Sequence, residues 1–166
     1  MDEIINKVAG SGLMNFDISD LVPTSEKKGI DLKDFLFEGL ILKEKDFREK
    51  VSLINIDDYQ NSFVYIYNSA DAIVPLWAYF LITAKLTDST KKIIFGTRED
   101  LDVIVMHDAI QNHDFSEFEG KRVLVKGCSD QSIPENAYIE LVEKLKPLVK
   151  SLMFGEACSN VPIFKN

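Results

Sequence analysis

The strongest constraint on this chain is that part of it occurs twice. Residues 62–97 align without a gap on residues 121–156 at a constant offset of 59, and ten of the 36 aligned positions are identical. The shared positions follow one order. A short apolar run leads to Asp-x-x-Val/Ile-Pro-x-x-Ala-Tyr, starting at Asp71 and at Asp130. A helical stretch follows, then a second apolar run that closes on Phe95-Gly96 and on Phe154-Gly155. Such a repeat means one supersecondary unit used twice, and each use must bury its apolar face against something.

Each copy reads as a βαβ unit. Phe63 to Tyr67, Lys92 to Phe95 and Arg122 to Val125 are short runs of β-branched and aromatic residues, with Val149 to Phe154 as a fourth strand candidate. Pro75 and Pro134 suit the first turn of a helix, where the missing N–H costs nothing. Between the copies, Thr97-Arg98-Glu99-Asp100 has the form of a capping box. Leu101, Ile104, Val105, Ala109 and Ile110 then predict a third helix running to His113. Ahead of the repeat lie a weakly apolar stretch at Leu13 to Ile18, a turn at Val22 to Gly29, and helical patterning from Leu32 through Val51 capped by Asp31. Gly39 marks a break or a close contact within that patterning. Parallel neighbours need crossover helices. The expectation is therefore an α/β fold forming one domain over residues 1–166: a mainly parallel sheet of at least four strands with helices on both faces. It is built around the βαβ duplication, with residues 1–54 packed on it.

Composition narrows the function classes. The formal charge is −8, and Lys and Arg are interleaved with acids, as in Lys43-Glu44-Lys45-Asp46, so neither nucleic acid nor an anionic membrane surface is an expected partner. The longest nearly apolar run, Ala72 to Ala84, contains Pro75 and is shorter than the roughly 20 residues of a spanning helix. Met1 to Lys7 is acidic at its start and lacks an apolar core, which predicts no secretory signal and a cytoplasmic protein. Cys128 and Cys158 are then expected as thiols rather than a disulfide.

The two crossover helices differ on their outer positions. In the second copy these are Glu135, Asn136, Glu140 and Glu143, an ordinary solvated face. In the first they are Leu76, Trp77, Leu81 and Ala84. A helix apolar all round must be covered on both sides, either by the region from Leu32 to Leu42 or by a second subunit. The second case is a homodimer through the helix around Trp77.

In open parallel sheets, ligands bind beyond the carboxyl ends of the strands. Asn68-Ser69-Ala70-Asp71, Gly127-Cys128-Ser129-Asp130 and Gly155-Glu156-Ala157-Cys158 all follow strand candidates, and the repeat sets Ser69 against Cys128 and Asp71 against Asp130. Three readings stay open. Cys128 is a thiolate nucleophile with Asp130 as its acid or base group and Ser69, Asp71 and Glu156 holding a small ligand. Cys128 and Cys158, with the neighbouring acids, hold a zinc or iron ion. Or the cysteines pack as small apolar residues while Asp71 and Asp130 close turns. His107 and His113 are six residues apart, a spacing that does not bring them together on a helix. No phosphate-loop, dinucleotide or paired-cysteine motif is present.

The chain resembles an uncharacterised bacterial family catalogued only as a domain of unknown function. The resemblance runs over nearly the full length. It rests on Leu40-Ile41-Leu42-Lys43-Glu44-Lys45-Asp46-Phe47-Arg48-Glu49, Ser69-Ala70-Asp71-Ala72-Ile73-Val74-Pro75, Lys126-Gly127-Cys128, Lys150-Ser151 and Gly155-Glu156-Ala157-Cys158-Ser159. It implies a small soluble bacterial protein and assigns no catalytic residue.

Overall fold

A computed structural model describes residues 12–127 and 133–166. In chain order these form β1 (Leu13–Asp17), β2 (Lys27–Asp31), α1 (Glu44–Ser52), β3 (Phe63–Tyr67), α2 (Leu76–Leu86) and β4 (Lys92–Phe95). Then follow α3 (Arg98–Asn112), β5 (Arg122–Lys126), α4 (Glu135–Leu145), β6 (Ser151–Glu156) and β7 (Ser159–Lys165). Where one sheet was expected, the strands fall into two, of order β1-β5-β6-β7 and β2-β3-β4. Every pairing is parallel except β6 with β7. The chain divides into two compact units: a continuous one, residues 24–102, and a split one, residues 1–23 with 103–166.

In the continuous unit, α2 is set by its sequence neighbours. Pro75 lies just outside the helix, at φ −67°, and its carbonyl accepts from Ala78 N at 3.0 Å. Ala78, Ile82 and Leu86, four residues apart, then form one buried stripe. Phe47 and Val51 of α1 join it, with Val64 and Ile66 of β3 beneath and Ile30 and Leu32 at the side. Fully burying side chains of this size contributes about 1.5–3 kcal/mol each before the entropy of ordering the chain is set against it.

The segment before the repeat departs from the sequence reading. Lys27–Asp31, whose first three residues were expected to end a turn, pairs in parallel with β3 from Lys27↔Phe63 to Asp31↔Tyr67. Gly29 lies within this strand opposite Tyr65, and a Cβ on it would come within 2.7 Å of the Tyr65 ring. The expected long helix from Leu32 is a single 3-10 turn, Leu32–Phe35, capped by Asp31 as foreseen, and an α-helix begins only at Glu44. Glu38 and Gly39 take φ of +50° and +69°, which no continuing helix tolerates. The capping box before α3 forms as expected: Asp100 N donates to Thr97 Oγ1 at 3.1 Å, and Thr97 N donates to Asp100 Oδ2 at 2.7 Å.

In the split unit, α3 contributes Met106 and Ile110, and α4 contributes Ala137, Leu141 and Leu145. Both pack with Val123 and Val125 of β5, Leu152 of β6 and Phe16 and Ile18 at the side. Chain distances recur between the units. All nine buried residues of the continuous core have buried counterparts in the split core: Ile30 and Leu32 fourteen residues back at Phe16 and Ile18, the other seven 59 residues on. Backbone bonds recur likewise. Asn61 N donates to Ser89 O at 2.8 Å and Gly120 N to Leu148 O at 2.8 Å; Lys91 N donates to Ser62 O at 2.8 Å and Lys150 N to Lys121 O at 2.7 Å.

Candidate functional site

At the carboxyl end of β2, the Asp31 carboxylate accepts from Lys33 N at 3.0 Å and from Ser69 N at 3.0 Å, and the Ser69 hydroxyl bonds to its other oxygen. Burial works against the Asp31 charge, but the Ser69 and Lys33 donors outweigh it and hold the carboxyl below its ordinary range. Asn68 orders the same loop by accepting from Ala70 N at 3.0 Å and donating to Ala72 O at 3.1 Å. Ser69 is therefore engaged in a latch between β2 and the loop after β3. Asp71 lies two residues on and is exposed.

Glu156 is the last residue of β6, opposite Ser159, and Cys158 sits in the tight turn between β6 and β7 as an exposed free thiol. Cys128 and Asp130 lie outside the described residues. The site residues that are described are thus divided, with Ser69 and Asp71 in the continuous unit and Glu156 and Cys158 in the split one. Among the described residues, no group of three or more His, Cys, Asp or Glu side chains is placed to hold a metal ion. No helix among them is long and apolar enough to cross a membrane.

The two histidines of the split unit face different surroundings. His107 Nδ1 lies 2.8 Å from Glu140 Oε2 on α4. His113, one residue past the end of α3, stacks edge-on to Phe115 at 4.6 Å, and its Nε2 is buried without a hydrogen-bond partner. The adjoining cavity, of about 290 Å³, is lined by Phe16, Phe118, Asn15, Asp17, Asp20 and Glu117 among others. Asp17 is already committed, accepting from Ser19 Oγ at 2.6 Å and from Ser19 N at 3.0 Å, bonds that hold its carboxyl below the usual range.

The most distinctive surface belongs to the continuous unit. Trp77 stands edge-on to Phe47 at 5.6 Å, with the Arg48 guanidinium 5.5 Å from its ring. The cover over this part of α2 therefore comes from α1, beyond the expected 32–42 region. On the neighbouring side, Leu76 is 72% exposed, Phe80 71%, Phe95 67% and Ile73 97%. Phe95 is held edge-on by Tyr79 at 5.2 Å, which fixes it beside α2. Leu76 and Phe80, one turn apart on α2, with Phe95 held beside that helix, are what a docking surface presents, since scattered single side chains would need no explanation. Sequence reasoning found Leu76 here but missed Phe80 and Phe95; Phe80, four residues after Leu76, carries the helical spacing that could have revealed it.

No curated protein and no solved structure matches the chain. A family model described as "Protein of unknown function (DUF2480)" matches residues 2–166, and the chain belongs to that family.

Proposed function

We propose that this protein is a non-enzymatic interaction module that associates with a second copy of itself through α2 and β4 of the continuous unit. The observation that carries this reading is the exposure of Leu76 and Phe80, one turn apart on α2, together with that of Phe95, which Tyr79 of α2 contacts. It keeps the homodimer that was one of the two alternatives for the first crossover helix but moves the contact: Trp77 packs inside the unit against Phe47, and Leu76 and Phe80 meet the partner.

In this reading the two units are copies of one design, one set within the other. A strand and 3-10 turn are followed by a helix, a second turn, and βαβ. The recurring cores and backbone bonds at offsets of 14 and 59 support it. A design used twice needs only one copy to carry the contact, and the copy with the apolar outer positions is that one. The test is the mass in solution by light scattering. The expected result is twice the chain mass for the wild type and a folded monomer for Phe80→Glu, whose charge would be stranded in a desolvated contact. A wild-type monomer at tens of micromolar would overturn the proposal.

A further inference from the structure

We infer that the two copies join through the open edge of β4, pairing β4 antiparallel with β4 of the partner, so that two three-stranded sheets become one of six strands. This rests on the self-association proposed above and adds its geometry. The argument comes from the split unit, whose strand at the same sheet position, β6, is covered on its outer edge by β7, running antiparallel. β4 occupies the matching position and, among the described residues, is the last strand of its sheet.

The chemistry of the covering strand can be read from β7. It sets Val161 opposite Phe154 and Phe164 opposite Leu152. The counterparts of Phe154 and Leu152, 59 residues back, are Phe95 and Ile93. A strand that covers β4 in the same way must bring a β-branched residue to Phe95 and an aromatic to Ile93. β4 itself carries both in the required order: with a two-fold axis through Ile94, Ile93 of one copy faces Phe95 of the other, twice. The backbone has the matching parity. Gly96 N–H donates to Ile66 O at 3.0 Å on the β3 side, so the N–H and C=O groups of Phe95 and Ile93, at alternate positions, point to the outer edge. An antiparallel pair about that axis satisfies all of them, and antiparallel is the only sense a two-fold axis allows two identical strands.

Ile94 and its symmetry mate would form a non-hydrogen-bonded pair with Cα atoms about 4.5 Å apart, a separation a disulfide spans. The experiment places Ile94→Cys in a Cys128→Ser, Cys158→Ser background and oxidises it. Alongside, amide hydrogen exchange of the unaltered protein is followed at residues 93 and 95 above and below the dissociation concentration. Expected are a covalent dimer on the gel and protection of both amides that is lost on dilution. A dimer by light scattering with no disulfide and unprotected amides would overturn the edge pairing and leave self-association standing. A monomer throughout would overturn both, and where Ile94→Cys does not fold, the exchange measurement decides alone.

Discussion

The two units differ most where their sheets end. In the split unit the fourth strand β7 closes the edge beside β6, and Ile163 helps to wall an apolar groove of about 240 Å³ with Tyr138, Ile139 and Phe154. In the continuous unit the sheet stops at β4 among the described residues, and the matching residues Tyr79, Phe80 and Phe95 have no described strand beside them in that sheet. The ring contact at this position is the same in both, Tyr79 on Phe95 at 5.2 Å and 84°, Tyr138 on Phe154 at 5.9 Å and 89°. The buried positions thus recur while the rim differs. Matched cores tolerate few changes of volume, whereas an edge changes its partners with the addition of one hairpin.

The comparison is broken most forcefully in the cores. Ile82 and Leu141 sit at matching positions and are fully buried in separate clusters. Ile82→Ala and Leu141→Ala are each expected to cost about 2–5 kcal/mol. Amide hydrogen exchange should show each loosening its own unit first. Equal loss of protection in both units from either substitution would mean that the cores unfold as one.

The next effect is at the glycines that close β4 and β6. Gly96 and Gly155 take φ of +144° and +125°, a region costing an ordinary residue about 1–3 kcal/mol. A Cβ on Gly96 would lie 2.6 Å from the Asp100 carboxylate, a side chain that can move, while one on Gly155 would lie 2.6 Å from the Ser159 carbonyl, which cannot without breaking the hairpin. Gly155→Ala is therefore expected to lower the urea midpoint more than Gly96→Ala. The reverse order would mean that the capping box of α3 is worth more than the β6–β7 turn.

A smaller effect comes from the latch. Asp31→Asn should cost about 1 kcal/mol at neutral pH, as for loss of a capping carboxylate. Because the folded state holds Asp31 below its ordinary range, its contribution is complete above about pH 4–5 and disappears as the pH falls through the folded value. The stability gap between wild type and variant should thus stay level from pH 8 to 5 and close on further acidification. Asp17→Asn, at the matching position with Ser19 as donor, should do the same. A gap that widened in acid would reverse the assigned direction for either carboxyl.

Several of the strands were legible in the sequence. Phe63–Tyr67 and Lys92–Phe95 coincide with β3 and β4 because β-branched and aromatic runs bounded by turn residues have few other uses. β2 was not legible, since Lys27-Lys28-Gly29 carries no apolar alternation and its glycine serves a ring from the next strand. The matching of β1 and β2 was hidden as well, because its offset is 14 while that of the repeat is 59. At the site, Asp31 was readable as a cap, but its bond to Ser69 spans 38 residues and leaves no local pattern. In a helix as apolar as α2, periodicity does not say which side is covered. The position of α1 decided that Trp77 turns inward and Phe80 outward.

The smallest effect is also the most specific to the comparison. Residues 48 and 107 hold the same position on α1 and α3, and each reaches to the following helix of its unit: Arg48 over the Trp77 ring at 5.5 Å, His107 to Glu140 at 2.8 Å. Glu140 matches Leu81, so the two bridges use different partners in different chemistry. The His107 side chain is half exposed, and such a pair contributes about 0.2–1 kcal/mol, close to the roughly 0.5–1 kcal/mol of an exposed cation over an aromatic ring. A double-mutant cycle with His107→Ala and Glu140→Ala should give a coupling within that range that shrinks in 1 M salt. The cycle with Arg48→Ala and Trp77→Ala should give a similar value with weaker salt dependence, because the ring contact also buries the arginine stem. Equal salt sensitivity would mean that Arg48 acts through Glu44, which it contacts at 2.9 Å, and that the helix-to-helix bridge exists in the split unit alone.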